Sequence, residues 1–307
     1  MRLKHLLNAL AVAFALAVGG LVVRHFVVNG WPIHHANVWL VLLAAVIFLA
    51  AYGFKAWGWQ RLFRRERRPA MVTLAAAGGA ASVGGIALPG RFDELLRIAV
   101  VRRCRRPRAS IGAVAFSLFL LGLIDSAALT PLASVAAGVT DVSGAGQAAL
   151  IVVAVVGVAA AGLVLALPRL VRLRRLARFR VVAWVAEHAT PRRDALTAWA
   201  AVAVSWTLRG LALFVLLGAL GLRTSFALAL AFLCASSASA VLPIAPAGAV
   251  TQAGAGAAIL VASGMHPDEA IAFGVAAQGL VIAVGAVCVA AMAAWHAHGR
   301  VRPLLSR

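Results

Sequence analysis

Nine carboxylates are spread over this 307-residue chain, and one of its two adjacent pairs is set among arginines: Asp93 and Glu94, in "LPGRFDELLR" from Leu88 to Arg97. Arg91 and Arg97 flank them. If a helix begins after Pro89, Asp93 and Arg97 fall four apart on one face, and Glu94 lies in the first turn, where the helix dipole stabilises negative charge. Guanidinium groups in such a cluster can grip a phosphate through paired N–H donors, while the carboxylates balance a cationic group or open a gate. The same residues also read as helix capping with local charge balance.

Two further charges interrupt apolar runs: Asp125 in "LLGLIDSAALTP" and Arg209 in "SWTLRGLALF". A charge at the centre of a membrane helix costs at least about 2.5 to 3.5 kcal/mol, so each is expected to face protein or water, and pairing with each other would satisfy both. A third polar stretch, "CASSASAVLPIAPAGAVTQAGAGAA", carries Ser236, Ser237, Ser239, Pro243, Pro246, Gly248, Thr251 and Gln252. Its hydroxyls and freed backbone amides can bind a polar headgroup without net charge. Close helix packing needs the same small residues.

The elements that must position these groups follow from composition. The chain is 63% hydrophobic, and several apolar runs reach the roughly 20 residues needed to cross a bilayer core of about 30 Å. The fold class is therefore all-α, a polytopic transmembrane helical bundle. The net charge of +20 would point to nucleic acid in a soluble chain, but here the arginines lie in blocks between apolar runs, where they orient the chain and meet anionic headgroups. Nucleic acid is thereby set aside as a partner, and anionic membrane lipids take its place.

Six continuous spans are read, at Leu6 to Val23, Val38 to Tyr52, Ser110 to Val139, Gln147 to Leu167, Ala195 to Leu222 and Glu269 to Trp295. Two more apolar stretches, Ala70 to Gly90 and Phe226 to Gly264, are broken by Gly and Pro. Under the positive-inside rule, all but three of the 29 Lys and Arg fall in inside segments, the exceptions being Arg24, Arg209 and Arg223. Both termini then lie in the cytoplasm of a bacterial-type inner membrane. Ala70 to Gly90 has basic blocks on both flanks and must return to the inner face; Phe226 to Gly264 starts and ends outside. The domain reading is thus one membrane unit with an inner-side re-entrant hairpin and basic helix (70–108), a basic inner loop (169–193) and an outer-side broken hairpin (226–264). "RLVRLRRLARFR", at 169 to 180, alternates Arg with apolar residues as an interfacial helix does. Opposed hairpins suggest an inverted repeat with a site where they meet, although no residue-level repeat accompanies them.

Several chemistries are absent from the sequence. The histidines form no HExxH set, and no GxSxG, P-loop or dinucleotide fingerprint is present, so no metal, cofactor or enzymatic activity is expected. The three cysteines provide no disulfide framework.

Having "FKAWGWQRLF" after the second span, "LPGRFDELLR" in the middle and "LPIAPAGAVTQAGAGAAILVASGMHPDEAIAF" late, the chain resembles the lysylphosphatidylglycerol synthase transmembrane region family of flippase-like membrane proteins. The resemblance covers nearly the whole chain. It places Pro89, Arg91, Glu94 and Arg97 on the family's Pro-x-Arg-x-x-Glu-x-x-Arg element, and Pro246 and Gly248 on its later turn. Gly84-Gly85 stands where the family often has Asn, and Gln252, with no acid, follows the second turn where the family often has Glu. The family implies movement or presentation of polar lipids. Its soluble aminoacyl-transferase domain is not expected here, since the chain stops shortly after the last span, so any synthase or glycosyltransferase would be a separate partner. The resulting expectation is a translocase for an anionic, aminoacylated or polyprenyl-linked lipid. An accessory protein or enzyme acting on lipid-linked sugars, with Asp93 and Glu94 as acid and base, is one alternative; a small-solute secondary transporter is the other.

Overall fold

A computed structural model describes residues 20–21, 24, 26–28, 30–33, 36–85, 92–103, 110–139, 144–170, 184, 190–239 and 248–305. Among them the regular structure is entirely helical: α1 (Val38–Arg61), a 3₁₀ turn (Arg65–Arg67), α2 (Met71–Gly84), α3 (Phe92–Arg103), α4 (Ile111–Val139), α5 (Ala145–Leu170), α6 (Arg192–Ala219), α7 (Phe226–Ser239), α8 (Gly248–Ala262) and α9 (Pro267–Leu305). Five of these, α1, α4, α5, α6 and α9, are long and apolar enough to cross a membrane. The span expected at Leu6 to Val23 and the interfacial segment at 169 to 180 lie largely outside the described residues.

The first difference from the sequence reading is in α1. Asn37 caps it, its side chain accepting from Trp39 N at 3.0 Å and Leu40 N at 3.3 Å. The helix then continues nine residues past Tyr52 to Arg61, so that Lys55 belongs to the span rather than to a basic loop. Aromatic residues on both sides of Lys55 keep this stretch apolar, and Trp59, which is buried, donates Nε1–H to Ser117 Oγ at 3.0 Å.

α1 and α6 run antiparallel along their whole length. Asn37 N donates to Ala219 O at 2.8 Å at one end, Ser205 Oγ donates to Ala51 O at 2.7 Å in the middle, and Gly58 abuts the Ala198 carbonyl further on. At the far end Asp194 pairs with Arg68 at 3.3 Å and Arg61 at 3.9 Å. These side chains are 17–29% exposed, so the pair is worth about 1 kcal/mol. Asp194→Ala is expected to lose that amount, read as a small drop in the thermal unfolding midpoint in detergent and no change in the fold.

The short helices fill the flanks. α2 has 14 residues, about 21 Å of helix, too short for the hydrocarbon core. α3 packs beside it, and α2 crosses α9 where Gly79 meets Gly285; the reciprocal Cβ, added at Gly285, would lie 3.0 Å from Gly79 O. Gly78-Gly79 lies inside α2, and Gly79 is the point of the crossing. α7 and α8 repeat the arrangement, packing on one another, with Phe232 edge-on to Phe273 of α9 at 4.9 Å. α5 folds back on α4 through Gly144, whose φ of 65° suits the turn, and Gly157 allows α5 to approach Ser126 and Thr130. Chain order is thus long, short, short, long in α1 to α4 and again in α6 to α9.

Candidate functional site

The centre of the bundle holds the charges. Lys55 Nζ lies 2.8 Å from Asp125 Oδ2, and Trp206 Nε1 donates to Asp125 Oδ1 at 2.9 Å. Asp125 is the midpoint of α4, about 21 Å of helix from either end, so it has no route to bulk water along its own helix. Both of its oxygens are taken by protein donors instead. Lys55 and Asp125 are 18% and 19% exposed, enough burial for the pairing to decide their energetics.

Arg209 lies beside this pair without joining it. Its guanidinium sits over the rings of Trp206 at 4.8 Å, Phe48 at 5.4 Å and Tyr52 at 5.5 Å, while Lys55 Nζ also lies 5.3 Å from the Trp206 ring centre. Arg209 Nε is buried and has no hydrogen-bond partner among the described residues. The sequence expectation that Asp125 and Arg209 pair with each other is corrected: the carboxylate pairs with Lys55, and aromatic faces hold the guanidinium. Tyr52 extends the polar track, its hydroxyl 2.5 Å from Ser82 Oγ on α2.

α3 begins at Phe92, which places Asp93 and Glu94 in its first turn. Asp93 and Arg97 form the i, i+4 pair at 3.6 Å, and Glu94 is exposed. Arg97 thus keeps its carboxylate partner on its own short helix, α3. Its Nε, too, is buried and has no hydrogen-bond partner among the described residues. Pro89, Arg91, Pro243 and Pro246 lie outside the described residues, and Gly248 is the first residue of α8.

The α7 and α8 polar stretch forms a separate contact. Ser236 Oγ donates to Gln252 O at 2.9 Å, Ser237 Oγ to Leu233 O at 2.7 Å and Ser239 Oγ to Ser236 O at 2.8 Å. Three of its hydroxyl donors are therefore satisfied by backbone. Sequence reading did not find Lys55, Tyr52, Trp206 or Ser82. A usable signal was present, since each intramembrane cation follows an aromatic by three positions, Tyr52 to Lys55 and Trp206 to Arg209, which is one helical turn.

Among the described residues no group of three His, Cys, Asp or Glu could hold a metal, and Cys234 and Cys288 are free and buried.

A bundle of apolar helices enclosing a paired carboxylate and two cations, Lys55 and Arg209, defines a polytopic integral membrane protein with a polar intramembrane site. The chain belongs to the family described as lysylphosphatidylglycerol synthase TM region, whose model matches residues 8–288. Neither the curated proteins nor the solved structures include a significant match to it.

Proposed function

We propose that this protein moves the polar headgroup of a membrane lipid through the interior of the bundle while the acyl chains stay in the bilayer. The observation that carries this reading is the Lys55, Asp125, Trp206 and Arg209 cluster, whose residues lie within three helices long and apolar enough to cross a membrane. Charges at that depth are costly, and in membrane proteins they mark pathways for polar cargo. Family membership supports lipid as the cargo. Transport fits the residues better than catalysis, because Asp93 is engaged with Arg97 and Glu94 faces outward, which leaves no acid and base facing one another. Inner-membrane residence and inward-facing termini accompany this proposal.

The test is a leaflet-exchange assay on vesicles containing the purified protein, with fluorescent anionic and zwitterionic lipids quenched from outside. Wild-type protein is expected to speed exchange over empty vesicles, and Arg209→Gln to slow it at least tenfold. Equal exchange in protein-containing and empty vesicles across those lipids would overturn the translocation reading.

A further inference from the structure

The two halves of the chain share a register that their apolar composition hides. A constant 154 residues separates Tyr52 from Trp206, Lys55 from Arg209, Ser82 from Ser236, and Leu88-Pro89 from Leu242-Pro243. Over residues 71–90, seven positions are identical to their counterparts at 225–244: Leu74, Ala75, Ala77, Ala81, Ser82, Leu88 and Pro89. The elements keep the same step. Helices α1 to α4 begin at 38, 71, 92 and 111, and α6 to α9 begin at 192, 226, 248 and 267, which is 154 to 156 residues later.

Contacts between α1 and α6 supply the symmetry. When two elements are related by a two-fold axis, a contact off the axis occurs twice with the roles exchanged, and a residue on the axis meets its own counterpart. Lys55 lies 5.3 Å from the Trp206 ring centre and Arg209 lies 5.5 Å from that of Tyr52, which is one contact made twice. Ala51 and Ser205, also 154 residues apart, meet each other, the Ser205 hydroxyl donating to Ala51 O at 2.7 Å. The axis therefore passes between α1 and α6 at that bond, and the halves form an inverted repeat.

One pair of equivalent groups breaks the relation. Tyr52 and Ser82 meet hydroxyl to hydroxyl at 2.5 Å, tying α1 to α2. Their counterparts are engaged elsewhere, Trp206 donating its N–H to Asp125 at 2.9 Å and Ser236 its hydroxyl to Gln252 O on α8, also at 2.9 Å. Position is not the obstacle. Phe214 meets Phe226, and a Cβ on Gly210 would meet Leu230 and Leu233, so α6 and α7 run antiparallel and one further turn brings Trp206 level with Ser236. While Ser236 donates to Gln252 O, its oxygen can still accept from an indole N–H. What holds Trp206 is Asp125, and the residue 154 positions beyond Asp125 is Gly279, so no matching carboxylate draws on Tyr52.

We infer that this arrangement is one of two that the repeat adopts, and that in the other Trp206 leaves Asp125 for Ser236 while Tyr52 and Ser82 part. Each arrangement then has one aromatic-to-serine latch closed and the other open, as an exchange of conformations between two equivalent halves requires. Closing the second latch ties α6 to α7 and frees one Asp125 oxygen beside Lys55. The two arrangements stand without the translocation reading, which says only what crosses between them.

Fluorine NMR on the full-length protein in lipid nanodiscs, labelled with 5-fluorotryptophan, reads Trp206 directly, its signal being the one lost in Trp206→Phe. Two Trp206 signals, or one averaged between them, are expected in the wild type. Ser82→Ala opens the first latch and is expected to raise the second arrangement about fivefold relative to the first, the weight of one ordinary hydrogen bond; Ser236→Ala is expected to lower it by about the same factor. Tyr52→Phe, which deletes one oxygen, is expected to act as Ser82→Ala does, and it decides the matter if that variant does not fold. A Trp206 signal that ignores both serines, or that moves the same way for both, overturns the second arrangement and leaves an asymmetry fixed by Asp125. Opposite shifts without any leaflet exchange keep the switch and remove the transport reading. Leaflet exchange with an unresponsive Trp206 does the reverse.

Discussion

Asp125→Leu is expected to destabilise the detergent-solubilised protein by about 3 to 5 kcal/mol, the loss that follows when one partner of a buried ion pair is removed and the other charge is left in place. The geometry sets that size. Lys55 Nζ is 2.8 Å from Asp125 and its ring contact with Trp206 cannot replace a counter-ion. Trp206 Nε1 loses its acceptor in the same variant, a smaller term of about 1 to 3 kcal/mol if the donor stays dry. The decisive comparison is with Lys55→Met/Asp125→Leu, which removes both charges and should recover most of the loss, because buried ion pairs are often no better than apolar residues of similar volume. Unfolding midpoints across the single and double variants give the coupling directly. A single-variant loss below about 1 kcal/mol would show that Lys55 reaches water by itself, as lysines near helix ends do, and that the pair does not hold the core together.

Gly79→Leu is expected to cost about 3 kcal/mol, at the upper end of the range for overpacking. A Cβ at 79 would run into the Gly285 carbonyl and lie 3.1 Å from Cys288 Cβ, and backbone cannot yield as a flexible side chain can. α2 would be levered from α9, taking Ser82 with it and stretching the 2.5 Å contact to Tyr52. Stability and leaflet exchange should fall together in this variant. Gly53→Leu, whose nearest neighbour is the flexible end of Met71 at 3.5 Å, is the matched control and should cost far less. Equal losses in both would remove the helix crossing as the cause.

The long elements were legible in the sequence for a simple reason. α4, α5 and α6 are continuous apolar runs whose ends lie within a few positions of where composition places them, and α9 starts two residues early but continues ten residues past Trp295 to Leu305. Asp125 and Arg209 could be singled out because an ionised group in such a run must be accounted for. Lys55 could not. A cation seventeen residues past the start of an apolar run, followed by arginines, looks like the start of a basic loop, and only the position of Asp125 on another helix shows otherwise. With Lys55 assigned outside the membrane, Arg209 was the one remaining partner for Asp125, and the pairing was misassigned. Gly78-Gly79 belongs to a stretch whose composition fits both close packing and a broken helix, and packing is what it does. Glycines that let two helices touch are indistinguishable in sequence from glycines that end a helix. An offset of 154 residues that matches Ser82 with Ser236, Leu88-Pro89 with Leu242-Pro243 and, by type, Tyr52 with Trp206 and Lys55 with Arg209 was hidden because Ala and Leu dominate both halves.

The close seam between α1 and α6 has a mechanical consequence. A backbone bond at Asn37, the Ser205 hydroxyl on Ala51 O, the Gly58 contact and the Asp194 pairs pin the two helices at four heights. A joint fastened in that way cannot slide or splay, so it serves as a fixed axle. On the translocation proposal, an opening wide enough for a headgroup would fall to the helices outside this seam.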